Sequence, residues 1–321
     1  MHERELVIVG GGPAGMAAAV AAHEAGVRDI LLLERDQYLG GILNQCVHTG
    51  FGLHEFKQDL TGPEYAAKHI KVIEGIKEIE VSLKSFVVKL TNHKVLTYLK
   101  PGKMATVKAK ALIMATGCRE RTREMIHVAG SRQAGVYPAG LAQKMINIEG
   151  WLPGREIVII GSGDIGLIMA RRFTLEGAAV KAVIEIEKES RGLVRNVVQC
   201  LEDFGIPLYL RHRVAKIHGR DRVEKVEVEN LETGARFELN CDTVLISVGL
   251  IPENELIEMA GVALDRRTNC PVSREVNTCS FPWLFVCGNA YKVYDLVDSV
   301  TRDSARAGRM AADYIRRLNR A

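Results

Sequence analysis

No two of the seven cysteines in this 321-residue sequence form a C-x-x-C pair. Cys46, Cys118, Cys200, Cys241, Cys270, Cys279 and Cys287 are scattered and odd in number, which argues against a disulfide framework, a zinc site or an iron–sulfur cluster. No metal is expected, and a reducing cytoplasm is the default setting. Aromatic residues reach only 6%, too few for a platform that stacks single-stranded nucleic acid. No run of 18 apolar residues occurs, so no membrane-spanning helix is expected. Charge is balanced: 43 Lys and Arg against 39 Asp and Glu leave +4, with no block that reads as a nucleic-acid arm or a polybasic membrane patch. Hydrophobic residues at 47% and charged residues at 26% exclude disorder. The small-residue-rich start superficially looks like a signal peptide, but glycines and Pro13 interrupt it and acidic residues precede it.

What is present is a repeat. The length suggests about two domains, and each carries one copy. Residues 7–34 read VIVGGGPAGMAAAVAAHEAGVRDILLLE, and residues 158–185 read VIIGSGDIGLIMARRFTLEGAAVKAVIE. Each has a β-branched run, a G-x-G-x-x-G turn, a helical stretch and a second apolar run ending in Glu. Gly10 to Glu34 and Gly161 to Glu185 both span 24 positions. This is the βαβ dinucleotide fingerprint, twice. Gly10 and Gly161 make the tight turn out of the strand. Gly12 and Gly163 let the backbone approach a diphosphate, and Gly15 and Gly166 let helix and strand pack closely. Pro13 and Ala14 in one copy, and Asp164 and Ile165 in the other, open helices whose N-termini face that diphosphate. Glu34 and Glu185 can accept hydrogen bonds from ribose hydroxyls. Asp164 is unusual beside a diphosphate; it is expected to cap its helix with its charge turned away.

Elsewhere the pattern is coarser. Residues 69–110 read as a small antiparallel meander with turns at Asn92-His93 and Pro101-Gly102. Leu112–Thr116, Val244–Val248 and Leu284–Cys287 read as buried strands ending at glycine. Residues 118–156 read as a connector, 206–241 as short strands, and 294–318 as a helix. The expected architecture is α/β: two Rossmann-like three-layer dinucleotide-binding domains. The first is discontinuous (residues 1–121 and 251–321) and the second covers residues 122–250.

Two such folds, one interrupting the other, resemble the thioredoxin-reductase-like flavoproteins of the pyridine nucleotide-disulfide oxidoreductase superfamily. The resemblance implies FAD on the first fingerprint and NAD(P)H on the second. ATGCRER (Ala115–Arg121) is similar to the family's crossover turn, which adds Thr116 and Gly117 to the FAD site. LFVCGNA (Leu284–Ala290) is similar to the closing FAD motif and adds Gly288 and Asn289, with Asn in place of the usual Asp. The sequence ends one helix later, so the C-terminal dimerisation domain of glutathione-reductase-like enzymes is not expected. GGILNQCVHTGFGLHEFKQDLTGPEYA (Gly40–Ala66), NIEGWLPG and DLVDSVTRDSARAGR resemble more narrowly the FAD oxidoreductases that accompany anaerobic glycerol-3-phosphate dehydrogenases. More distantly they resemble subunits of opine, sarcosine and cyanide-forming glycine dehydrogenases. The implied function is passage of hydride between NAD(P)H and an acceptor through flavin N5, without a C-x-x-C dithiol. The acceptor is a small molecule or a protein. A partner dehydrogenase subunit acting on glycerol-3-phosphate or an amino acid, a homodimer, and a non-catalytic FAD/NAD sensor stay open.

The segment after Glu34 supplies the candidate chemistry. Gly41 belongs to the FAD site. Cys46 reads either as a flavin-contacting thiol or as a small packing residue, and no second cysteine lies nearby to make a dithiol. His48 and His54 read as proton carriers beside the isoalloxazine or as backbone-bound histidines. Asn44 and Gln45 suit flavin edges or substrate. Arg119, Arg121 and Arg123 could grip a phosphate or pair with Glu120 and Glu124. Asp295, Asp298 and Ser299 precede a helix that the resemblance points at the flavin pyrimidine. Glu185 favours NADH over NADPH, because a carboxylate repels a 2′-phosphate; Lys188 and Arg191 stand against this, interleaved with Glu187 and Glu189.

Overall fold

Leu6 and Ile8 of the first strand, His2–Val9, belong to one buried cluster, and Val7 and Val9 to another. A strand buried on both faces belongs at the middle of a layered sheet. In this computed structural model, which describes residues 2–273 and 275–320, it lies between two parallel neighbours, Ile30–Leu33 and Lys103–Met114. The sheet continues outward on one side to Ile79–Ser82, and on the other to Val95–Lys100 and Phe86–Leu90. The 12-residue strand Lys103–Met114 does two jobs. Its first half pairs antiparallel with Val95–Lys100, and its last residues pair parallel with Leu284–Val286. The chain divides into two compact units, and this sheet is the heart of the first: Met1–Arg119 with Ile251–Ala321.

One face of the sheet is covered by two helices, Pro13–Glu24 and Val297–Leu318. They meet through small residues. A Cβ added at Gly308 would strike the Ala18 carbonyl oxygen and lie 3.0 Å from the Ala22 nitrogen. Gly308→Ala should therefore destabilise this unit by about 1–3 kcal/mol. Chemical denaturation monitors it, and an unchanged midpoint would mean the helices do not pack this closely.

The meander is shorter than the alternation suggests. Phe86–Leu90, Val95–Lys100 and the start of the next strand form it, but Ile79–Ser82 is a parallel strand on the opposite side of the sheet. Residues 69–74 are not strand at all. They end the helix Gly62–Glu74, which buries Tyr65, Ala66, His69 and Ile73 at helical spacing. Thr61 and Glu64 close a capping box at its start, a signal present in the sequence.

The second unit, Glu120–Leu250, is built around a five-stranded parallel sheet. Its order is Val136–Pro138, Thr243–Ile246, Glu156–Ile160, Ala179–Ile184, Leu208–Tyr209. Ile157, Ile159, Val183 and Leu245 face the helices Ala139–Asn147 and Asp164–Leu175. Val158, Ile160, Ala182, Ile184 and Val244 face an antiparallel sheet that includes His212–His218, Lys225–Asn230 and Arg236–Asn240. That is three layers: helix, parallel sheet, antiparallel sheet. Within the expected connector, Ala139–Asn147 is a helix whose first amides are held by Glu120. That carboxylate accepts from Gly140 N–H at 2.7 Å and Leu141 N–H at 3.3 Å, while burial pushes its pKa up.

Candidate functional site: two dinucleotide cradles

Both fingerprints sit at the carboxyl end of a central strand, where the strand turns into a helix. Gly10 and Gly161 take φ of +107° and +95°, which only glycine adopts readily. Gly15 and Gly166 are required by contact: a Cβ on Gly15 would strike the Gly10 carbonyl oxygen, and one on Gly166 would come within 2.8 Å of the Gly161 oxygen. Gly12 and Gly163 differ. Their φ values are −74° and −68° with extended ψ, open to any L residue. A Cβ on Gly12 would meet only the Gly41 Cα, at 4.0 Å, and one on Gly163 only Ser247 oxygens, at 4.0 Å. Nothing in the protein needs the missing side chain at these two places. The space it leaves lies at a helix start that no side chain caps, with Pro13 at the first helical position of one. First-turn N–H groups and positive helix potential suit an anionic diphosphate, so the residues present fit a dinucleotide in each unit.

The carboxylates are held alike. Glu34, 5% exposed, accepts Gly11 N–H at 2.6 Å on one oxygen and Asp36 N–H at 2.7 Å on the other. Glu185, 4% exposed, accepts Ser162 N–H at 2.9 Å and Glu187 N–H at 3.0 Å. The likeness extends beyond the fingerprint. Gly40 N–H donates to the Gly11 carbonyl at 2.9 Å, and Gly192 N–H to the Ser162 carbonyl at 2.9 Å. Ser85 and Lys84 donate to the carbonyls of Glu34 and Asp36; His212 and Arg211 donate to those of Glu185 and Glu187. Lys84 and Arg211 both adopt positive φ, +51° and +54°. Gly11, Asp36, Gly40, Ser162, Glu187 and Gly192 thus belong to the cradles. The sequence hid them because backbone atoms make most of these bonds.

In the first unit Gly41, φ +55°, backs onto Gly12. Gly288, φ +60°, brings the closing motif against Ala14, since a Cβ there would lie 2.6 Å from the Ala14 Cβ. Gly117 takes φ +74° with open space where a Cβ would be. The Thr116 hydroxyl donates to the Glu253 carbonyl at 2.6 Å, so its visible work is to fix the turn. Asn289 accepts Tyr294 N–H at 3.1 Å and donates toward the Cys118 sulfur at 3.6 Å. Cys46 is 9% exposed, donates to the Ile42 carbonyl at 3.3 Å, and burial pushes its pKa up to about 12. His48 packs its ring on Phe51 with Nδ1 3.1 Å from the Thr49 carbonyl oxygen. His54 is exposed and donates its backbone N–H to Asp298 at 2.9 Å. Asn44 donates to the Leu39 carbonyl at 2.9 Å beside Gly40, and Gln45 is buried. Asp298 lies in the first turn of the last helix without capping it.

In the second unit the structure corrects Asp164. It does not cap its own helix. Its carboxylate accepts Leu193 N–H at 2.8 Å and the Asn196 amide at 2.7 Å, tying down the start of the helix Val194–Cys200. Its charge is answered there. Ile165 is half-buried against the helical core. The arginines also depart from the expected pairing: Arg119 pairs with Glu253 and Glu255, and Arg123 binds the carbonyls of Val128 and Ser131.

Two units, each setting a helix start, an open glycine and a buried carboxylate around one space, define a protein with two dinucleotide-binding folds. Residues 4–305 match the pyridine nucleotide-disulphide oxidoreductase family. The chain belongs to that family of FAD- and NAD(P)H-dependent oxidoreductases. It is 24% identical to a dihydrolipoyl dehydrogenase of Caenorhabditis elegans, over 90% of this chain and 63% of that one. It is 28% identical to the hydrogen cyanide synthase subunit HcnB of Pseudomonas protegens, over 80% and 58%. The chain therefore spans about three fifths of the curated relatives it matches. Its fold is that of Lactococcus lactis thioredoxin reductase, with a TM-score of 0.80 at 22% identity, covering 98% of this chain and all of that one. Among the described residues no helix is long and apolar enough to cross a membrane, and no side-chain group is arranged to hold a metal ion.

Proposed function

We propose that the chain passes two electrons between a nicotinamide dinucleotide and an acceptor through bound FAD, without a dithiol of its own. The observation that carries this reading is the pair of open middle glycines, one in each unit, at helix starts flanked by a buried carboxylate. FAD, when bound, supplies the hydride and electron chemistry. Gly10, Gly12, Gly15, Gly41 and Glu34 hold its adenosine diphosphate part, with Gly117, Gly288 and Asn289 closing the site. Gly161, Gly163, Gly166 and Glu185 hold the nicotinamide dinucleotide. Disulfide exchange needs a thiolate. Cys46 stands alone in its segment with its thiol held protonated, which favours the packing role for it.

NADH is the favoured dinucleotide. Arg191 is ion-paired with Glu187, Lys188 lies 3.9 Å from Glu189, and Arg211 pairs with Glu232 at 3.0 Å. These three cations, which could otherwise greet a 2′-phosphate, each lie against an acid. A second reading, a flavoprotein subunit working with a partner dehydrogenase, is supported by similarity to HcnB, named as a subunit, and by the Gly40–Ala66 motif. The partner's substrate would be glycerol-3-phosphate or an amino acid.

Anaerobic titration with NADH tests the main reading. About one equivalent should bleach the flavin, with no new thiols on labelling. Two equivalents with a new thiol pair would establish a dithiol relay, and no bleaching by either nucleotide would refute the electron path. Acceptor screening and co-purification separate the two versions.

A further inference from the structure

The two cradles differ at all three positions that the fingerprint leaves free, and at the first of them only the second cradle carries a hydroxyl. The first has Gly11 between its first two glycines; the second has Ser162. Gly11 uses its N–H for Glu34 and its carbonyl for Gly40. Ser162 makes the same two bonds, to Glu185 and Gly192, and then uses its hydroxyl twice more. The hydroxyl donates to the same Glu185 oxygen at 2.7 Å and accepts Arg191 N–H at 3.2 Å. Its carbonyl also accepts the Ser190 hydroxyl at 3.1 Å. The residue is fully buried.

The consequence for the carboxylate is countable. A carboxylate offers about four acceptor sites. Glu34 has two filled, one on each oxygen. Glu185 has three filled, two of them by Ser162, which leaves one on the oxygen that also takes Glu187 N–H. A charge held by three donors on both oxygens does not turn aside. The Ser190–Gly192 segment is pinned against the fingerprint by the same serine; a Cβ on Gly192 would lie 3.0 Å from the Ser162 oxygen and 3.1 Å from an Asp164 oxygen.

Resting on the reading that the second cradle takes the nicotinamide dinucleotide, we propose that Ser162 is a positioning residue for its specificity. By locking Glu185 and the Ser190–Gly192 strap together, it restricts the site to dinucleotides with a free adenine-ribose 2′-hydroxyl. Glu185 offers its remaining acceptor site to that hydroxyl, and a 2′-phosphate meets a negative charge that is not free to withdraw.

Calorimetric binding of NAD⁺ and NADP⁺ to the oxidised, flavin-loaded protein tests this without turnover. Wild type should favour NAD⁺ by at least about tenfold. Ser162→Ala, and Ser162→Gly as in the first cradle, should lower that ratio about tenfold, since hydrogen bonds to charged groups are the strong ones. Ser162→Thr keeps the hydroxyl and should keep most of the preference. A residue that only supports the fold would weaken both ligands alike and leave the ratio unchanged; that result overturns the inference. In that case Glu185→Ser, if it still abolishes the preference, leaves the cradle reading standing. Wild type that binds neither nucleotide overturns the cradle reading and this inference with it; wild type that prefers NADP⁺ overturns this inference alone.

Discussion

Gly12→Val should yield a folded, colourless protein. Most fingerprint glycines could not test this, because replacing them damages the fold first. Gly10 needs a positive φ and Gly15 has no room for a Cβ. Gly12 has neither constraint: its φ and ψ, −74° and −174°, suit valine, and its Cβ direction is open up to the Gly41 Cα at 4.0 Å. The new side chain would fill the space at the uncapped start of Pro13–Glu24, where a diphosphate would meet the first-turn N–H groups. Overfilling a snug site by a few methyl groups costs about 1–3 kcal/mol and sometimes more, so FAD affinity should fall roughly a hundredfold. The denaturation midpoint of the flavin-free protein should stay near that of wild-type apoprotein. The ratio of flavin to protein absorbance after purification reads the outcome. A folded variant with full flavin would show that the diphosphate does not lie over Gly12.

The fingerprints were legible because their physics is local. A glycine that must turn, one that must pack and an acid one strand later all lie within 28 residues, and each leaves a residue type as its trace. The unbroken apolar run before Gly10 likewise suits a strand buried on both faces. Ile79–Ser82 was not placed correctly, since IEVS alternates equally well in a meander or as a parallel edge strand; its partner Ile30–Leu33 lies far back in the chain. The helix Gly62–Glu74 was missed even though Thr61 and Glu64 carried its capping signal. Asp164 and Glu120 were misread for a related reason. A partner close in sequence, its own helix start for Asp164 and the adjacent arginines for Glu120, is the local expectation, yet each holds the start of a different helix 20 or more positions onward. The shared build of the two cradles beyond the fingerprint was invisible because N–H and carbonyl groups are the same in every residue. Only the folded chain shows that Gly40 and Gly192 do one job.

Gly163→Val should separate the two cradles functionally. Its position repeats that of Gly12: φ −68°, ψ 162°, no side-chain cap on its helix, and a Cβ that would reach only the Ser247 oxygens at 4.0 Å. The fold therefore tolerates the change, and the first unit, which carries every residue proposed to hold FAD, is untouched. The variant should purify yellow with full flavin content, and dithionite should still bleach it. Bleaching by NADH should need a concentration about a hundredfold higher than in wild type. Crowding the diphosphate path weakens dinucleotide binding by about a hundredfold on the same arithmetic as for Gly12. The loss should appear in the concentration dependence of flavin reduction and in the calorimetric affinity for NAD⁺ alike, because the substitution blocks entry and leaves chemistry alone. Should reduction by NADH stay as fast and as tight as in wild type, the second fingerprint does not hold the nicotinamide dinucleotide. Reducing equivalents would then have to reach the flavin by a route that bypasses the second unit, and the chain would read as the FAD-bearing half of a dehydrogenase fed by a partner.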